Sequence, residues 1–388
     1  MSLLMELLPL GWPICKDFAP DGAKIQNDLL KLRMLFGRTI KFTCAFWACN
    51  KCSMAFDRER VKQQASALAS QGVFIGTSSW KYPGWRGTLY DSSRYEYRGK
   101  FAKTRFERDC LTEYAGVFKT VCVDAAYYTF PSPSHLEKMV QQTPSDFRFA
   151  LKVTDIITIK KFPNLDRFGD KAGKRNENFL NPDLFAESFL KPCASVRASI
   201  GLLMFEFSRF WTAEYEHGRD FIADLDKFLG LLPKGWPYGV EMRNRNWLRA
   251  AYFECLTRHG VTHIFNSWEA MPPVSAQMAL PASRTNPDLV AARFLLKPGR
   301  AYEQAVKLFA PYDSIKEENP EALAAGRALI AEGKAAAPNR KTFIFVNNRL
   351  YAARGIKPVM PPPTLCRADG LEAHVSGYSC VNLCQRAA

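Results

Sequence analysis

From Val73 onward one rhythm recurs eight times: a short apolar run, a loop, then a helix-like stretch. The apolar runs are Val73–Ser79, Phe118–Asp124, Phe147–Lys152, Gly201–Phe207, the run opening at Tyr238, Val261–Asn266, Leu289–Leu296 and Thr342–Asn347. Helical patterns follow them at Phe101–Ala115, Ser134–Gln142, from near Pro182, and at Asp220–Leu232, Leu248–His259, Pro272–Leu280, Glu303–Ala310 and Pro320–Glu332. Strand and helix in strict alternation demand a parallel sheet, because each helix carries the chain back to start the next strand in the same direction. Eight such units are the number that closes into a barrel. The open doubly wound alternative would place a glycine-rich phosphate turn after strand one. Ile75-Gly-Thr-Ser-Ser-Trp80 lacks the Gly-x-Gly-x-x-Gly spacing, and no Gly-x4-Gly-Lys-Ser/Thr occurs. The expected fold is therefore α/β, a TIM (β/α)8 barrel over residues 73–350 with an N-terminal appendage, 1–72, and an irregular, disordered tail, 351–388.

The flanks have no steady period. In the appendage, Cys44-x4-Cys49-x2-Cys52 matches three ligands of a plant-type iron–sulfur spacing. No glycine-rich loop surrounds it, which favours incidental cysteines or a start assigned too far upstream. After Asn348, Pro361-Pro-Pro363 cannot open a closing helix. No apolar run approaches the roughly 20 residues that cross a bilayer, so no membrane partner is expected. The N-terminal apolar stretch lacks a basic flank and carries Glu6, unlike a secretory signal. Eleven cysteines, several of them (Cys122, Cys193, Cys255) inside apolar elements, suit a reducing, cytoplasmic address. A net charge of +15 favours an anionic partner without defining a chemistry. Nothing in the sequence sets the oligomeric state.

The fifth run, Tyr238-Gly-Val-Glu-Met-Arg-Asn-Arg-Asn-Trp247, carries the chemistry. Period 2 places Glu241 and Arg243 on one face and Val240 and Met242 on the other. Two charges near a strand's C-terminal end are costly to desolvate, so a wet pocket is expected there. The alternative is an ion pair that closes the top of the core. Active sites of such barrels lie at the strands' C-terminal ends. Those exits supply Glu241, Asp124 and Glu206 as candidate acids and bases, and Lys152, Arg243 and Arg293 to hold an anionic group. Asn266 and Asn347 either orient that group or satisfy backbone. Trp80, Tyr82 and Trp85 either stack on a ligand or pack as a lid. Of five histidines only His263 lies in a strand, so neither a metal nor a cofactor is expected. No Gly-x-Ser-x-Gly elbow supports acyl transfer.

The motifs in order, Gly76-Thr-Ser-Ser-Trp-Lys-Tyr-Pro-Gly-Trp85, Glu113-Tyr-Ala with Phe118-Lys-Thr-Val, Tyr128-x-Phe-Pro-Ser132, Phe149-Ala-Leu-Lys152, Val240–Trp247, Ala292–Gly299 and Phe345-Val-Asn-Asn348, resemble the YecE-like family, or domain of unknown function 72. The resemblance spans roughly residues 73–350 and implies a TIM barrel and a pocket rather than a reaction. Where many members carry glutamate in strand two, this chain has Cys122. Two functions compete. One is an acid/base enzyme acting on a small phosphorylated or acidic sugar-like ligand. The other is a nucleic-acid-binding barrel using Lys160, Lys161, Arg167, Lys171, Lys174 and Arg175 in the long third loop, set against Asp166 and Asp170. The bland alternative for that loop is a solvated surface.

Overall fold

A computed structural model describes residues 56–296 and 319–347, with Gly299, Gln304, Lys307 and Leu308 between them. Eight parallel strands close in sequence order, with β8 returning to β1. They are β1 (Val73–Thr77), β2 (Thr120–Val123), β3 (Arg148–Lys152), β4 (Ile200–Phe207), β5 (Tyr238–Met242), β6 (Thr262–Asn266), β7 (Leu289–Phe294) and β8 (Lys341–Val346). Around them lie α1 (Arg58–Ala69), α2 (Lys103–Ala115), α3 (Pro133–Gln141), α4 (Gly218–Leu231), α5 (Ala250–Arg258), the short α6 (Val274–Met278) and α7 (Pro320–Ala335). Between β3 and β4 the helical layer is one run of mixed turns over residues 182–199. The Cys44, Cys49 and Cys52 triplet and residues 348–388 lie outside the described residues, as does most of 303–310. No helix of the described residues is long and apolar enough to cross a membrane.

The strands are apolar on both faces because both are covered. Phe74, Cys122, Ala150, Leu202, Met204, Ile264, Ala291, Phe343 and Phe345 fill the interior. Their alternates, among them Ile75, Val121, Leu203, Val240 and Phe265, belong to the larger core that includes the helices. The seam between β1 and β2 has the short register Gly76↔Thr120 and Thr77↔Val121. Only glycine fits there, since a Cβ on residue 76 would lie 2.0 Å from the Thr120 carbonyl oxygen. Tyr114 of α2 reinforces the seam: its hydroxyl accepts from the Thr77 amide and donates to the Thr120 carbonyl, both at 3.0 Å.

The long loop after β3 is an ordered excursion. Buried Asn176 ties it together by donating to the carbonyls of Ile156 and Ile159, each at 2.7 Å. The segment expected to be an appendage also ends in structure. Asp57 caps α1 by accepting from the Arg60 amide, and Val61, Ala65 and Leu68 form a buried stripe at i, i+4 and i+7. The helix packs against β1. Its polar residues and small alanines blunt the hydrophobic period that would have announced it. A chain beginning at Val73 should therefore be less stable than one beginning at Asp57, by at least about 3 kcal/mol for the lost apolar burial. Coincident urea midpoints for the two chains would show that α1 adds nothing.

His263 alternates outward from the barrel between the rings of Tyr252, Phe253 and Phe265. Its Nδ1 lies 3.2 Å from the Tyr252 hydroxyl, and burial pushes the imidazole down to about 3. Between that value and the free histidine's ~6.5, the unfolded chain binds the extra proton. The neutral ring's contribution is therefore complete above pH ~6.5 and is lost on acidification, at up to about 1.4 kcal/mol per pH unit. The stability difference between wild type and His263→Gln should shrink as the pH is lowered from about 6.5 to 4.5. A difference that stays constant in chemical denaturation across that range would contradict this.

Candidate functional site

The strand register sets two carboxylates side by side at the C-terminal end of the barrel, Glu206 of β4 opposite Glu241 of β5. Adjacent like charges repel, the more so away from water. Arg293, arriving from β7, resolves the conflict by placing Nη1 2.7 Å from Glu206 Oε2 and 2.6 Å from Glu241 Oε2. Arg243 clamps the same pair from one side, with Nη2 2.7 Å from Glu206 Oε2 and Nε 2.9 Å from Glu241 Oε1. Lys152 closes the other side, Nζ lying 2.8 Å from Glu206 Oε2. The side chains of Glu241, Glu206 and Arg293 are 0%, 3% and 3% exposed, so these are desolvated charges. Burial alone would raise the Glu206 carboxyl. The charges of Arg243, Lys152 and Arg293 outweigh it and hold the group well below the usual carboxylate range. Arg293 is shifted upward because the surrounding anions, Glu241 foremost, overcome its own burial.

Above this layer the environment changes. Asp124 is 41% exposed and faces Lys152 Nζ at 4.0 Å and Arg293 Nη2 at 3.9 Å, beyond hydrogen-bonding distance. Two aromatic rings lie on the cations: Tyr127 is 4.0 Å from Lys152 Nζ, and Trp268 is 3.9 Å from the Arg243 guanidinium. Asp155, just past β3, is buried with its carboxyl pushed up by burial, an effect that Arg167, 2.9 Å away, partly offsets. Cys122 Sγ lies 3.9 Å from Asp124 Oδ1, and burial pushes its thiol up to about 12. Among the described residues, Arg293 Nε, Trp80 Nε1, Ser78 Oγ and Thr154 Oγ1 are buried without a hydrogen-bond partner.

The alternation placed Glu241 and Arg243 on the interior face, with Val240 and Met242 in the outer core. The expected wet surroundings of Glu241 are corrected: the carboxylate is fully buried and both its oxygens are engaged, because Arg293 reaches it from a strand 52 residues away. Lys152, Arg243 and Arg293 converge with Glu206 and Glu241, and Asp124 lies at their edge. Asn266 is buried in backbone service, donating to the Met242 carbonyl at 3.0 Å and accepting from the Trp268 amide at 3.3 Å. Asn347 donates its backbone amide to Phe294 at 2.8 Å. Trp85 is core rather than platform, stacked on Tyr90 and flanked by Tyr82. Trp80 is buried and accepts a hydrogen bond at its carbonyl from Tyr90. Sequence reasoning missed Tyr127, Trp268 and Asp155. Each lies two to four residues beyond a strand exit, and scanning that far past each exit would have gathered them.

Two open clefts on the described surface lie beside this ring rather than over it. One of about 230 Å³ is lined by Lys160, Phe162, Arg209 and Trp211, and the other, of about 290 Å³, by Lys160, Arg175, Phe179 and Asp224. Substituting Glu241→Gln keeps the shape and removes the charge between two buried arginines. It should cost about 3–5 kcal/mol of stability, the range for a broken buried pair. A loss below about 1 kcal/mol in denaturant titration would show that Glu206 alone compensates the guanidinium groups.

No curated protein matches this chain. Among solved structures, a DUF72 family protein from Enterococcus faecalis V583 aligns at 19% identity with a TM-score of 0.47, covering 71% of this chain and 89% of its own. A DUF72 family protein from Thermotoga maritima MSB8 aligns at 20% identity with a TM-score of 0.46, covering 72% and 93%. The family model described as "protein of unknown function DUF72" matches residues 74–358, most of the chain and the whole barrel, and the chain belongs to that family.

Proposed function

We propose that the C-terminal face of the barrel binds a small anionic, phosphorylated or sugar-acid-like ligand, and that Asp124 acts on it as general acid or base. The observation that carries this reading is the loose partnership of Asp124. Lys152 and Arg293 are 2.6–2.8 Å from the buried glutamates yet 4.0 and 3.9 Å from Asp124. Their outward sides are thus weakly engaged, and a ligand oxyanion can take up charge-assisted hydrogen bonds there. Unpartnered donors at the exits of β1, β3 and β7 add to an anion-binding character. Glu206 and Glu241 are positioning residues in this reading. They fix the guanidinium groups, while Asp124, 41% exposed, is the carboxylate that a ligand can reach. Tyr127 and Trp268 supply apolar walls suited to the carbon faces of a sugar.

The nucleic-acid alternative rests on the 160–175 loop, and the partners of its cations count against it. Arg167 pairs with Asp155 at 2.9 Å, Arg175 lies 3.8 Å from Glu177, and Lys160 sits 3.1 Å over the Tyr215 ring. Arg167 and Lys160 are engaged within the fold, so a phosphate backbone would have to displace those contacts, whereas the Arg175–Glu177 pair, 77% and 81% exposed, is a weak surface pair. Thermal unfolding with ribose 5-phosphate and with inorganic phosphate tests the proposal. A ligand that binds only the folded state stabilises it, by about 2.7 kcal/mol at a hundredfold excess over Kd, and so raises the melting temperature with concentration. The rise should vanish in Lys152→Gln and persist in Asp124→Asn. No rise with either probe, or an equal rise in Lys152→Gln, would sink the small-anion reading.

A further inference from the structure

Away from the barrel mouth, α4 and α5 bring three different ligand types together. Asp226 of α4 faces Cys255 and His259, which share one face of the α5 segment at i and i+4. His259 Nε2 is 2.8 Å and Cys255 Sγ 3.7 Å from Asp226 Oδ1, and all three ligand atoms lie within 4.8 Å of one another. We infer that Asp226, Cys255 and His259 bind a divalent metal ion of the zinc class, clipping α4 to α5. Tetrahedral zinc, with bonds of about 2.0–2.3 Å, separates its ligand atoms by roughly 3.4–3.6 Å. The sulfur–oxygen edge already has nearly that length, and the nitrogen–oxygen edge needs to open by about 0.6 Å to accept the ion.

The charges balance: a thiolate and a carboxylate neutralise a divalent cation. As the metal–sulfur bond forms, the Cys255 thiol proton leaves to solvent, and no electron changes hands. His259 is largely buried, its side chain 13% exposed. Arg258 now occupies Asp226 Oδ1 at 2.7 Å, but its side chain is 62% exposed. Such a surface ion pair is weak, so the guanidinium can swing into water when a metal arrives. Asp226, 36% exposed, leaves the fourth position open to solvent. The expectation of no metal rests on the few histidines in the strands; this site draws its ligands from the helical shell instead.

Titration of the full chain with Co2+ tests the inference, since a cobalt–thiolate bond gives near-ultraviolet charge transfer and a tetrahedral ion gives strong visible bands. The expected result is one such site per chain, displaced by Zn2+ and lost in Cys255→Ser, with Zn2+ raising the melting temperature of wild type alone. Asp226→Asn, which preserves shape and leaves the thiol intact, should weaken Co2+ binding at least about tenfold. The chain has eleven cysteines, so the comparison with Cys255→Ser is decisive. An identical Co2+ spectrum and Zn2+ response in wild type and Cys255→Ser would overturn the inference, as would unchanged Co2+ affinity in Asp226→Asn.

Discussion

Arg293 is the residue on which the top of the barrel depends. Without it, β4 and β5 would hold two buried carboxylates in register with no positive charge between them, an arrangement the low-dielectric interior penalises severely. With it, Arg243 and Lys152 can complete a cluster in which Glu206 accepts from three cations through one oxygen. The cluster replaces the apolar packing that fills the layers beneath, where Phe343, Phe345, Met204 and Ile264 meet. A buried ion network contributes little net stability compared with such packing, but it fixes donor directions. The cluster lies at the end where barrels carry their active sites, and the proposed ligand site rests on that placement.

A division of labour follows within the site. The inner carboxylates, Glu206 and Glu241, are locked by their ion pairs with the cations. The outer layer holds the partly exposed Asp124 and Trp268 and the buried Tyr127, and is where a proposed ligand would be handled. Lys152, Arg243 and Arg293 touch both layers and transmit the rigidity of the first to the geometry of the second. Preorganisation of this kind places the desolvation cost in the fold rather than in the binding step.

The helical shell is more than a cover. α1 seals the outside of β1 with small apolar side chains, and Tyr114 of α2 secures the seam where two strands share only a short register. The same shell holds His263 neutral and gathers Asp226, Cys255 and His259 between α4 and α5. Acid sensitivity and the proposed metal site therefore belong to the outer layer, physically separate from the ion cluster inside the barrel.

The sequence by itself determined the architecture and half of the site. Eight apolar runs alternating with helices call for a parallel sheet covered on both faces, and with no glycine-rich phosphate turn after strand one the closed barrel is favoured over the open sheet. A two-residue period then names which side chains face inward, as it did for Glu241 and Arg243. It left α1 obscure, because a helix whose buried stripe is mostly small residues gives a weak period. Tertiary structure alone decided which inward charges meet. That Arg293 bridges Glu206 and Glu241, 87 and 52 residues away, depends on strand register and barrel closure, which no local pattern encodes. It likewise decided burial, turning an expected wet pocket around Glu241 into a dry ion cluster and leaving exposure to Asp124. Trp85 and Asn266 went to packing and backbone service for the same reason: a residue type fixes the bonds a side chain can make, and its neighbours in space decide which of them it makes.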